Sequence, residues 1–231
     1  MKVTELKKRM KVKYFYLKNG FPLTLQLPFE KEIPKEDKGY HRCYAHKWAN
    51  LNRFLVRCPF DLNFSILPIE DKKEYKIIFN DEFTENIIKD GWVFIHPSDA
   101  ILFHKPVFQI PLNVVFYSEE KCFLETSSPN NFDHNLKFIN GKFDISSWVR
   151  PLNIAFEIQN IHQKIQLKRN EIIGELIFHT SKINKNIILE ENNNPSSELL
   201  SLSQENTKVS SYIKNTKTLI SKGKQLLQRL I

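Results

Sequence analysis

The chain has 231 residues, 41% of them apolar, and a formal net charge of +8, which suffices for one large β domain with extensions and a core that needs no covalent staples. Three cysteines at unpaired spacings, Cys43, Cys58 and Cys122, argue against a disulfide framework and for a reducing compartment. No stretch approaches the ~20 apolar residues that span a bilayer, and the first residues lack the apolar run of a signal peptide.

The charge is concentrated at the ends: +6 over residues 1–18 and +4 over 182–231, which leaves −2 for 19–181. Basic ends attract nucleic acid, anionic lipid or an acidic protein surface, and they also occur as plain solvated termini.

In chain order, residues 11–17 (KVKYFYL) and 21–27 (FPLTLQL) flank Asn19-Gly20, a hairpin signal. Residues 28–40, with Pro28 and Pro34 among mixed charges, read as a loop. Residues 44–56 are ambiguous: Trp48, Leu51 and Leu55 fit a helical face, and Pro59 would end the element. Leu62, Phe64 and Ile66 alternate through 61–67, and 74–79 returns as the second arm of a hairpin. Residues 81–90 read as a short helix through Phe83, Ile87 and Ile88. Strands are expected at 92–96, 101–104, 107–110, 114–117 and 122–126, then a loop over 127–135. They resume at 136–139, before a turn at Asn140-Gly141, and end with 161–167 and 172–178. The clearest piece is 152–158, where Leu152, Ile154, Phe156 and Ile158 alternate with Asn153, Ala155 and Glu157. Short strands at roughly 8–12-residue spacing predict a mainly β fold, an antiparallel β-sandwich or jelly-roll-like barrel, with a C-terminal α-helix.

The expected organisation is a basic N-terminal arm over 1–10, a β-rich domain over 11–190, a linker over 191–203 and a basic amphipathic helix over 204–231. Asn192-Asn193-Asn194-Pro195-Ser196-Ser197 sets the linker by composition. In the helix Val209, Tyr212, Thr216, Leu219, Leu226 and Leu230 recur at three- and four-residue steps, with Gly223 filling one position of the stripe. Such a narrow stripe suits a partner helix or groove, or packing back on the chain's own domain, better than a bilayer. The partner is another protein or a second copy. Nucleic acid is the alternative, through Lys7, Lys8, Arg9, Lys11 and Lys13 at one end and Lys214, Lys217, Lys222, Lys224 and Arg229 at the other. Tyr14, Phe15 and Tyr16 would then offer rings for base stacking, though the same residues make an ordinary strand.

No constellation for catalysis stands out. His41, Cys43, His46 and Cys58 are zinc-ligand types, but their spacing matches no recurrent knuckle. His96, Asp99 and His104 bring to mind a two-histidine, one-carboxylate iron site; the first gap is three residues with Pro97 inside it, and nothing selects a third ligand among His134, His162 and His179. There is no G-x-x-x-x-G-K, G-x-S-x-G or H-E-x-x-H pattern. No cofactor or metal is expected.

Arg57-Cys58-Pro59-Phe60-Asp61, Phe143-Asp144-Ile145 with Trp148-Val149-Arg150-Pro151, and residues 168–178 (KRNEIIGELIF) resemble, in order and spacing, a group of uncharacterised β-rich proteins of tailed bacteriophages. The resemblance covers roughly residues 45–180. It implies a viral source, with the host cytoplasm or the virion as location, and no established activity. Residues 170–176 also resemble the dUTPase strand Gly-x-x-Ile-x-Gln-Leu, with Asn170 in place of the glycine and Glu175 in place of the glutamine. The Ser-rich phosphate-binding motif and the Asp-x-Asp-Tyr motif of that family have no counterpart, so an active dUTPase is not expected. The reading that results is a non-catalytic structural or protein-interaction protein of phage origin.

Overall fold

The computed structural model describes residues 9–17, 29–31, 43, 49–69, 75–96, 105–129, 132, 134–181, 185–208 and 213–229. The fold is mainly β, an antiparallel sandwich with helices at its C-terminal end. One sheet contains β1 (Arg9–Tyr16), β6 (Phe94–His96), β7 (Val107–Tyr117), β9 (Leu136–Phe138), β11 (Pro151–Ile158) and β14 (Asn186–Glu191), in the order β14-β1-β7-β11-β9 with β6 beside β7. A second contains β2 (Glu30–Lys31), β3 (Arg53–Arg57), β8 (Cys122–Ser127), β10 (Gly141–Asp144) and β13 (Ile172–Thr180), in the order β10-β8-β13-β3-β2. β4 (Leu62–Pro68), β5 (Tyr75–Phe79) and β12 (Ile165–Leu167) form a smaller sheet in the order β12-β4-β5.

Alternation puts Leu152, Ile154, Phe156 and Ile158 of β11 fully inside, with Phe108 of β7 stacked on Phe156 at 5.0 Å. β1 and β14 run parallel, and the buried Asn52 ties β14 down: its Nδ2 donates to the Lys185 carbonyl at 2.9 Å and its Oδ1 accepts from the Ile187 amide at 2.8 Å. Glu175, where glutamine stands in the dUTPase strand, is 3% exposed and pairs with Arg53 at 3.2 Å. Asn170, where that strand has glycine, has φ 68°, a left-handed conformation that glycine takes without strain and asparagine tolerates.

The elements refine several of the sequence readings. Residues 53–57 form β3 rather than helix: burial there has period two, with Phe54 and Val56 inside and Leu55 half-exposed. The runs at 107–110 and 114–117 are one strand, β7, interrupted where Pro111 lacks an amide hydrogen and Asn113 turns to φ 52°. That irregularity marks where β7 changes neighbour, from β6 along Val107–Gln109 to β1 along Val114–Tyr117. Asn140-Gly141, read as a turn, joins β9 in one sheet to β10 in another. The stretch 191–203 holds the end of β14 and much of a helix, α2 (Ser197–Lys208), which precedes α3 (Ile213–Arg229); α1 is the short helix Glu82–Lys89. β1 begins at Arg9, inside the expected arm. The Asn19-Gly20 hairpin and the strand at 101–104 lie outside the described residues.

Candidate interaction surface at the C-terminal helices

β1 has two faces. Met10 and Val12 are buried in the main core, and Tyr14 and Tyr16 pack against it. Arg9, Lys11, Lys13, Phe15 and Leu17 alternate onto the opposite face of the sheet. There Phe15 and Leu17, with Val115 and Tyr117 of β7, form a second apolar cluster, closed by Leu199 and Leu202 of α2 and Leu226 and Leu227 of α3. The helices thus cover one end of the sheet's outer face.

Ser196 starts α2, its hydroxyl accepting from the Leu199 amide at 3.2 Å and its carbonyl from Leu200 at 3.0 Å. The seat of α3 is the turn after β10. Asp144 accepts from the Ser146 amide at 3.0 Å and the Ser147 hydroxyl at 2.9 Å, also binds the Ser146 hydroxyl, and pairs with Lys121. Against this turn lies Gly223. A Cβ there would overlap the Ser147 carbonyl oxygen and sit 3.1 Å from its carbon, so the helix approaches this closely only because residue 223 has no side chain. Next to the turn, the Arg150 guanidinium lies over the Trp148 ring at 4.8 Å, and burial lowers its pKa.

Of the stripe read from sequence, Leu226 is buried against the chain's own sheet. Leu219 lies on α3, and Val209, Tyr212 and Leu230 fall outside the described residues. Leu199, Leu202 and Leu227 were not singled out from sequence; the leucine spacing after Ser196 is the signal that carries the first two. Among the basic positions, Lys11 pairs with Glu190 at 3.1 Å, Lys13 with Glu119 at 2.9 Å and Lys222 with Glu205 at 3.3 Å. Arg9, Lys224 and Arg229 are exposed, Lys214 and Lys217 lie on α3, and Lys7 and Lys8 fall outside the described residues. Arg9, Lys11 and Lys13 project from the same sheet face that the helices cover, so both basic ends of the described chain share one side of the molecule.

Between α2 and α3 runs a surface groove of about 550 Å³. Glu198 and Glu205 line the α2 wall, Lys222 and Arg229 the α3 wall, and Leu202 and Leu226 lie between them. No described helix is long and apolar enough to cross a membrane.

Most of the other sequence candidates lie outside the described residues. His96 is exposed at the end of β6, whereas Asp99, His104, His41 and His46 fall outside the described residues. Cys58 and Cys122 are buried thiols pushed up to about 12 by desolvation, and the Cys58 thiol donates to the Phe60 carbonyl at 3.1 Å.

No family model matches the chain, and no curated protein matches it. Solved structures that resemble it distantly include two of the dUTPase of Staphylococcus bacteriophage 80alpha, one a point mutant and the other a different mutant with dUpNHpp. Each is 10% identical with a TM-score of 0.36; they cover 80% and 81% of this chain and 98% and 92% of their own. A superposition that loose transfers no site.

Proposed function

We propose that this chain is a non-catalytic interaction protein that associates with a second copy of itself through the exposed side of its helical hairpin. The supporting observation is the division of charge across the groove: Glu198 on the α2 wall and Arg229 on the α3 wall, with Glu205 and Lys222 paired between them within the chain. A two-fold rotation brings the acidic wall of one copy against the basic wall of the other, so one surface complements itself. A viral source, with the host cytoplasm or the virion as location, belongs to the same proposal and rests on the short motifs at 57–61, 143–151 and 168–178.

Size-exclusion chromatography with light scattering tests it. The full chain is expected to run as a dimer. Glu198→Lys with Glu205→Lys, and Lys222→Glu with Arg229→Glu, are each expected to give monomers, and mixing the two variants to restore the dimer. A monomeric parent chain at tens of micromolar overturns the reading. Full-length variants serve better than deletion of 196–231, which would uncover Phe15, Leu17, Val115 and Tyr117.

The shared side of the two basic ends favours one second reading, binding of nucleic acid. Affinity is then expected to fall linearly on a log–log plot against salt as counterions are released. The ion pairs at Lys11, Lys13 and Lys222 reduce the charge available for it. Salt-independent or absent binding in a filter assay removes this reading.

A further inference from the structure

Three connections meet beside β12: the segment before β9, the loop from β11 to β12, and the turn from β12 to β13. They enclose a cleft of about 780 Å³. Both walls are held by bonds of their own. Asn135 Nδ2 donates to the Asn160 carbonyl at 2.6 Å and the Gln163 carbonyl at 3.3 Å, and its Oδ1 accepts from the Asn160 amide at 2.7 Å. On the other wall Glu171 faces His134 Nε2 at 2.8 Å through Oε1, while Oε2 accepts from the Lys168 amide at 2.9 Å. The Asn170 amide donates to the Cys58 carbonyl at 2.9 Å, and Arg57 binds the Asn170 carbonyl at 2.7 Å.

The side chains that face the cleft differ from those that build it. On β12, Ile165 and Leu167 point into the core, so alternation turns Lys164, Gln166 and Lys168 outward along one face, where all three line the cleft with Gln163. The backbones of Gln163 and Lys168 take part in the wall bonds, but none of these four side chains has a hydrogen-bond or ion-pair partner among the described residues, whereas the carboxylate of Glu171 and the amide of Asn135 are already engaged. Two ammonium groups and two carboxamides, all on exposed residues, therefore line one cleft. The ammonium groups suit an oxyanion; each carboxamide both donates and accepts, which suits hydroxyl groups.

We propose that this cleft binds a phosphate monoester carried on a polyhydroxylated body, the chemistry of a phosphorylated sugar. Glucose 6-phosphate is the probe, with inorganic phosphate and glucose as separate arms, followed by calorimetry at low salt and by amide chemical shifts. Binding is expected for glucose 6-phosphate, at least tenfold tighter than for either part, with shifts confined to 134–136 and 159–171. Lys164→Ala and Lys168→Ala are each expected to weaken it about tenfold, as the loss of one charge-assisted hydrogen bond would. Lys76→Ala, on the exposed side of β5, is expected to change nothing. Equal affinity for inorganic phosphate overturns the polyol part. No saturable binding at 10 mM probe in a folded protein, or binding that survives the double lysine variant, overturns the site.

Discussion

Gly223→Ala is expected to destabilise the protein by about 2 kcal/mol, the scale of overpacking a tight contact, and to free α3 from the sheet. In an exposed helix interior this substitution does the reverse, adding roughly 1 kcal/mol of helix propensity. Here the added methyl would overlap the Ser147 carbonyl, a backbone group fixed from below by Asp144, so the neighbour cannot swing aside as a long side chain would. If the helix lifts, Leu226 and Leu227 leave the cluster of Phe15, Leu17, Val115 and Tyr117. α3 has no alanine and carries Gly223 within it, so on its own in water it would fray. Hydrogen exchange should show protection lost over 213–229 first, with a lower Tm; Lys224→Ala, one residue on and exposed, serves as the matched control. A raised Tm with unchanged protection would mean that α3 does not rest on this turn.

What could be read from sequence follows from how local each signal is. β11 and β4 were legible because one face is fully buried and the pattern needs only neighbouring residues. β3 was ambiguous in sequence because Leu51 and Leu55 happen to stand four apart, while the partner that makes 53–57 a strand, β13, lies over a hundred residues away. The same holds for β14, whose place depends on Asn52. At Asn140-Gly141 the turn residues were visible, but the sheet each side joins was not. The helix stripe was legible as a stripe; that its gap at Gly223 is filled by a carbonyl of the chain's own turn is tertiary information. The cleft beside β12 was likewise hidden, since His134 and Glu171 meet across 37 positions and the lysines that line it read as surface residues.

Asp144→Ala is the complementary test, because it loosens the same joint from below. The carboxylate gathers the Ser146 amide, two hydroxyls and the Lys121 ammonium, and loss of bonds to such a charged, half-buried acceptor costs about 2 kcal/mol. Burial alone would raise its pKa, but the bonds from Lys121, Ser146 and Ser147 outweigh burial and hold it below the ordinary carboxylate range. A depressed folded value means that the carboxylate contributes stability fully above a pH of about 4. That contribution is lost as the pH falls through the folded value. Wild type should therefore lose stability on acidification through this group, whereas Asp144→Ala starts lower and shows a shallower acid limb in urea titrations between pH 6 and 3. Both substitutions act on one seat, so their double mutant should cost less than the sum of the two singles by at least 0.5 kcal/mol, beyond the additivity of independent sites. Strict additivity, with the acid limb unchanged, would separate the turn from the helix and leave the hairpin held by its leucines alone.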